Sequence, residues 1–222
     1  TEVAKLRKVV QLHADGSYSL DTRYFLHHKQ GVAYSWEGGV PVVGDLFSPV
    51  LEDLLGPRRG RDEPLADRHR NLARSVQVVY EEAFFNLLNV LQARHGTDAV
   101  AIAGGCGANS VANGKVMRRT RFRRVYVQSA AGDAGGAIGA AFAVWHGRGG
   151  ARGFVMDHAY WGPEYAPAEV ASLLATRQTD LAAAGCSVER IDDEARLCAM
   201  TAAAVARGEV IGWFQGRMEW GP

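Results

Sequence analysis

Apolar residues recur at helical spacing most clearly across residues 64–94. Leu65, Leu72, Val76, Val79, Ala83, Leu87 and Leu91 form one stripe, which Phe84, Leu88 and Val90 widen. A stripe this broad predicts a long helix buried on more than one side, as on a sheet. His95-Gly96 predicts its end. Gln77 and Glu81 stand four apart on one face, where they either line a site or form an ordinary polar surface.

The period then changes. Val100-Ala-Ile-Ala runs into Gly104-Gly105, and Val125-Tyr-Val-Gln128 runs into Gly132-Asp133-Ala134-Gly135-Gly136. The order predicted is strand, glycine turn, helix over residues 108–117, strand, glycine turn, and an Ala/Gly-rich helix. Glycines let the chain turn without a Cβ and let a ligand approach the backbone. Two such βα units place their turns at the carboxyl ends of a sheet, where ligands of α/β proteins bind.

Weaker patterns flank this centre. Residues 8–24 read as strands around an Asp15-Gly16 hairpin turn. Residues 32–44 read as a loop or irregular β segment. Ser48-Pro49 opens a short helix that stops near Gly56. Pro167 opens a helix expected to reach Ala184. Residues 188–191 read as a short strand, Asp192-Asp193-Glu194 open a further helix ending at Gly208, and residues 209–214 read as a buried strand.

Composition narrows the class. The 222 residues are 47% hydrophobic and carry a formal net charge of +1, ordinary for a globular protein and no argument for a nucleic-acid or membrane partner. Arg118, Arg119, Arg121, Arg123 and Arg124 form a local basic cluster of the kind that usually ends a solvated helix. Cys106, Cys186 and Cys198 are odd in number and lack a CxxC spacing, which argues against a disulfide framework or zinc site and fits a reducing cytosol. No apolar run approaches a membrane span and no signal-peptide pattern is present. The chain opens on Thr1 and stops at Gly221-Pro222, so a piece cut from a longer protein is expected.

Each chemical candidate has a plainer alternative. Gly104-Gly105 is either a ligand turn or a simple tight turn. Asp133 taken alone reads best as a helix cap, and Asn109 and Asn113 as solvated helix residues. A Walker loop is excluded: Asn109 stands where its first glycine belongs and Val116 where Ser/Thr is required. A dinucleotide fingerprint fits poorly, because the glycines from Gly132 to Gly139 are wrongly spaced and no acidic residue ends a following strand.

The two strings taken whole, AGGCGANSVANGK and VQSAAGDAGGAIGAA, resemble the O-carbamoyltransferase family of nodulation-factor and antibiotic biosynthesis. The resemblance extends over residues 69–82, 157–165 and 208–222. It implies an α/β fold: the second half of an actin-like ATPase-type (ribonuclease H-like) domain over residues 1–150, related to the tRNA threonylcarbamoyl transferase. A helical connecting segment at 151–207 and the start of a C-terminal α/β (YrdC-like) domain at 208–222 would follow. It implies an enzyme that uses ATP and carbamoyl phosphate, forms carbamoyl-adenylate and carbamoylates a hydroxyl of a small molecule, often a sugar. Gly104, Gly105 and Asn109 then match the nucleotide-binding turn, with Gly132 and Gly135 in the second glycine turn. Asp133 matches a carboxylate ligand of the catalytic metal, iron or a similar divalent ion, and Arg217 a basic residue for carbamoyl phosphate. A carboxylate suits a metal that holds phosphates, and an arginine fork suits a phosphate ester. The family's His-x-x-x-His ligand pair is missing: no two of the seven histidines stand four apart. Partners expected are the small-molecule acceptor and the rest of the same polypeptide, and this piece alone would bind nucleotide or metal weakly. Two rivals stay open: another actin-like phosphotransferase of the sugar-kinase type, and a non-catalytic nucleotide-binding module.

Overall fold

The computed structural model describes residues 1–132 and 134–221. They fall into two units, Thr1–Val127 and Gln128–Pro222.

In the first unit, helix α1 (Glu2–Val9) runs into an antiparallel hairpin of β1 (Val10–Leu12) and β2 (Tyr18–Leu20). The turn between them holds Gly16 at φ +89°, and the Asp15 carboxylate accepts from Ser17 N at 2.9 Å. The Asp-Gly signal in the sequence thus marks the hairpin, although residues 8–9 extend a helix. A 3-10 turn (Thr22–Tyr24) and the short α2 (His27–Gln30) follow. The Gly-rich stretch after them forms a second hairpin, β3 (Tyr34–Glu37) with β4 (Val40–Val43). Next comes α3 (Pro49–Leu55), where Ser48 precedes the helix without capping it: its Oγ donates to Arg23 O at 2.6 Å.

The long helix is α4 (Asp67–His95), closed by Gly96 in the left-handed region. Beyond it lie β5 (Ala99–Ile102), a 3-10 turn (Gly105–Ala108), α5 (Ser110–Asn113), α6 (Val116–Arg119) and β6 (Arg124–Val127). β5 and β6 pair in parallel with Ala99 opposite Arg124 and Ile102 opposite Val127, the βαβ order that the sequence predicts. The single helix expected over residues 108–117 is instead two short ones, α5 and α6, entered from the 3-10 turn that ends at Ala108. Asn109 caps a new turn by accepting from Ala112 N, so the chain restarts there. Phe85, Leu88, Val116 and Phe122 form the core beneath the strands, with Phe84, Val100, Ile102 and Val125 packed against it. From α4 it is Phe84, Phe85 and Leu88 that reach this core, whereas Leu65, Val76 and Leu87 of the predicted stripe are exposed.

In the second unit, α7 (Gly135–Gly147) is the Ala/Gly-rich helix. The helix expected to reach Ala184 is broken at Arg177 into α8 (Pro167–Thr176) and α9 (Gln178–Ala183). α10 (Glu194–Ala206) starts where the acidic run predicts, with the Asp193 carboxylate accepting from Ala195 N and Arg196 N. Two expected strands are absent among the described residues. Residues 188–191 have no ladder, and residues 209–214 are exposed, with Val210 at 98%. An apolar run becomes a strand only where a neighbour accepts its ladder bonds, and no described residue does so here. The segments at 157–165 and 217–220 instead bond to each other: Gly162 N donates to Met218 O at 2.9 Å and Met218 N to Pro163 O at 2.8 Å.

Candidate functional site

The first glycine turn leaves the carboxyl end of β5. Gly104 has φ +99° and ψ 167°, a region open almost only to glycine. A Cβ built on Gly104 or on Gly105 would meet nothing within 4 Å, so the backbone of the turn faces open space. That space is what an approaching phosphate or nucleotide requires.

Side chains fasten the turn. Tyr80 Oη donates to Cys106 O at 3.3 Å, and Asn113 Nδ2 donates to Gly107 O at 2.7 Å. Asn109 Oδ1 accepts from Ala112 N at 3.1 Å and from Gln77 Nε2 at 3.2 Å. Asn109 Nδ2 donates back to Gln77 Oε1 at 2.9 Å. Gln77 also donates to Glu81 Oε1 at 3.0 Å. The candidate Asn109 is therefore fastened by α4, one turn above Glu81.

Glu81 is buried, 5% exposed. It accepts from Lys115 Nζ and, through its other oxygen, from Arg119 NH1 at 3.4 Å. The Lys115 hydrogen bond holds its carboxyl below the usual carboxylate range; burial opposes this, and Gln77 and both cations add to it. Its neighbour Glu82 turns the other way and is also held low, chiefly by its hydrogen bonds from Arg7 of α1. Arg119 lies over the Phe85 ring at 4.2 Å, which ties the ionic cluster to the core. In the sequence Glu81 and Lys115 are 34 positions apart, and the only trace of the cluster is the Gln77/Glu81 spacing on one face of α4.

The remaining candidates lie in the second unit. Gly132 O accepts from Gly135 N at 3.2 Å, closing the second glycine turn. A Cβ on Gly135 would stand 2.2 Å from Ala130 O, so Gly135 is required by packing whatever it also does for a ligand. Asp133, the candidate catalytic carboxylate and metal ligand, lies outside the described residues. Arg217 is exposed, and its Nε donates to Gly162 O at 2.9 Å. That bond orients the guanidinium fork.

The donor set bears on the expected groups differently. The open turn at Gly104-Gly105 fits a nucleotide phosphate. Among the described residues, no three His, Cys, Asp or Glu side chains gather closely enough to hold a metal ion, so that set does not by itself fit iron. No helix among the described residues is long and apolar enough to cross a membrane.

Comparison with known proteins follows the same stretch. A family model described as "Carbamoyltransferase N-terminus" matches residues 8–142, which include both glycine turns. The uncharacterized protein sll1178 of Synechocystis is 35% identical over 226 residues, 98% of this chain and 33% of the relative. Nodulation protein NolNO of Sinorhizobium fredii is 35% identical over 83% of this chain and 26% of the relative. Nodulation protein NolO of Bradyrhizobium diazoefficiens is 33% identical over 83% of this chain and 32% of the relative. The chain therefore spans a third or less of the length of these relatives.

Proposed function

We propose that this chain, which belongs to the carbamoyltransferase N-terminus family, supplies the nucleotide-binding part of an enzyme that carbamoylates a hydroxyl group. The domain is read as the second half of an actin-like ATPase-type fold. Carbamoyl phosphate loses inorganic phosphate to water and yields carbamate. A carbamate oxygen attacks the α-phosphorus of ATP, the α–β P–O bond breaks and pyrophosphate leaves. The acceptor oxygen then attacks the carbamoyl carbon, gives up its proton and displaces AMP. The acceptor class is a sugar or a related antibiotic or nodulation-factor type molecule.

The residue roles follow. Gly104 and Gly105 let their backbone come close to the phosphates, and Asn109 adds a side-chain contact. Gly132 and Gly135 shape the second turn, where Asp133 supplies a carboxylate for a divalent cation. Arg217 binds the anionic carbamoyl phosphate. The observation that carries the reading is the open, glycine-only turn at the end of β5, inside the stretch the family model matches.

The test uses the complete gene product with ATP, carbamoyl phosphate and ferrous iron, and looks by mass spectrometry for carbamoyl-adenylate and pyrophosphate. Both are expected, and both should vanish with Asp133→Ala. A phosphorylated product without pyrophosphate would give the protein to the sugar-kinase class. No product and no nucleotide binding would leave a binding module that kept the turn for folding.

A further inference from the structure

The amide chain running from Glu81 to the glycine turn has one direction only. At one end Ala112 N–H can only donate, so the Asn109 atom facing it at 3.1 Å is the oxygen. At the other end the Glu81 carboxylate can only accept, so the Gln77 atom facing it at 3.0 Å is the nitrogen. Gln77 Oε1 is thereby turned to Asn109 Nδ2, at 2.9 Å. Both amide orientations are fixed by groups that cannot reverse, and Glu81 is itself fixed by Lys115 and Arg119.

The inventory of Asn109 then closes. Its oxygen accepts from Ala112 N and Gln77 Nε2, which uses both lone pairs. Its nitrogen has two hydrogens and gives one to Gln77. Among the described residues the second has no partner, and Asn109 is only partly buried. From this we infer that Gln77, polarised by Glu81, is a positioning residue: it holds Asn109, which directly follows the 3-10 turn Gly105–Ala108, so that one N–H, and no acceptor, is left for a ligand at that turn. The turn thus selects a ligand atom that accepts a hydrogen bond, such as a phosphate or ribose oxygen or an unprotonated ring nitrogen. The inference rests on the nucleotide reading of the turn and adds the residue that sets its polarity.

The experiment is a double-mutant cycle on the complete gene product, with ATP affinity measured by calorimetry for wild type, Gln77→Leu, Asn109→Ala and the double variant. If Gln77 acts through Asn109, Gln77→Leu weakens ATP binding roughly tenfold, as expected for about one hydrogen bond. The same change made on Asn109→Ala then costs less than about twofold, because coupled residues are not additive. Thermal melting of each variant records folding separately. A purely structural Gln77 would give additive losses in affinity, which overturns the inference and keeps the nucleotide reading. Wild-type affinity in Gln77→Leu does the same. A wild type that binds no ATP overturns the nucleotide reading and this inference with it, while a melt unchanged by Gln77→Leu with binding lost and non-additive confirms it.

Discussion

Glu81 and Lys115 meet in an ion pair across 34 residues of sequence, one from the middle of α4 and the other from the junction between α5 and α6. The pair joins the long helix to the chain that leaves the glycine turn. It does so beside the core, since Arg119 reaches the second Glu81 oxygen and also covers Phe85. The same carboxylate thus serves stability and, through Gln77, the orientation of Asn109.

Glu81→Gln is expected to destabilise the protein by about 2 kcal/mol at neutral pH. Breaking a buried pair costs about 3–5 kcal/mol, and the figure is reduced because Lys115 and Arg119 keep 26% and 46% of their side chains exposed. The sign with pH follows from a folded-state pKa lowered from its ordinary 4.5. Such a group stabilises above the unfolded value, and the contribution fades as pH falls through the lower folded value. Urea unfolding of wild type and Glu81→Gln should therefore differ near neutrality and converge in acid. A difference that grows in acid would refute this.

Gly104→Ala and Gly105→Ala should separate folding from binding. Alanine at Gly104 is forced into a glycine-only region at φ +99°, at a cost of about 1–3 kcal/mol. Gly105 lacks the positive φ and has open space where a Cβ would go, so Gly105→Ala should melt like wild type. Its effect is expected in ATP affinity alone, because the added methyl occupies the approach to the turn. Calorimetric binding and melting of the two variants check this, and unchanged affinity in Gly105→Ala would remove the turn from the ligand's path.

Legibility differed with the range of the interaction. α4 was plain in the sequence because its apolar residues repeat locally, and the first hairpin because Asp15-Gly16 sets its own turn. The break of residues 108–117 was hidden because Asn109 is as acceptable inside a polar helix as at a cap, and only Ala112 N and Gln77 decide between them. The burial of Glu81 was hidden for a similar reason: a carboxylate on a helix reads as solvated until Lys115 arrives. Residues 209–214 have strand-like composition, yet a strand is a relationship with a neighbour, and composition does not contain the neighbour. Asn109 and Gly104 were singled out by the whole motif string, while the residue that orients Asn109 lies 32 positions earlier.

Phe122 should be the most costly single truncation in the first unit. It is 2% exposed and packs with Phe85, Leu88 and Val116, two residues before β6 begins. Phe122→Ala is expected to lose about 3–5 kcal/mol through lost burial and the cavity left behind. Phe122→Leu keeps most of the volume and should lose about half of that or less. Denaturant midpoints for the two variants test this, and similar midpoints would mean that the core collapses around the gap.

Adjacent glycines in the second turn offer a sharper contrast. Alanine at Gly135 would put its Cβ 2.2 Å from Ala130 O and 2.9 Å from Gln128 Oε1. Ala130 is 1% exposed, so the offending carbonyl is packed in and has little room to retreat. Gly135→Ala should therefore cost about 3 kcal/mol, the upper range for overpacking. Alanine at Gly136 meets nothing within 4 Å and lies in the first turn of α7. There the better helix propensity of alanine should leave stability unchanged or raise it by a few tenths of a kcal/mol, up to about 1. Limited proteolysis and thermal melting of the two variants give the comparison without any ligand. If Gly135 served only to let a phosphate approach, the two variants would melt alike and differ only in nucleotide binding. A selective loss of stability in Gly135→Ala means that this glycine is needed to fold the second glycine turn before any ligand arrives.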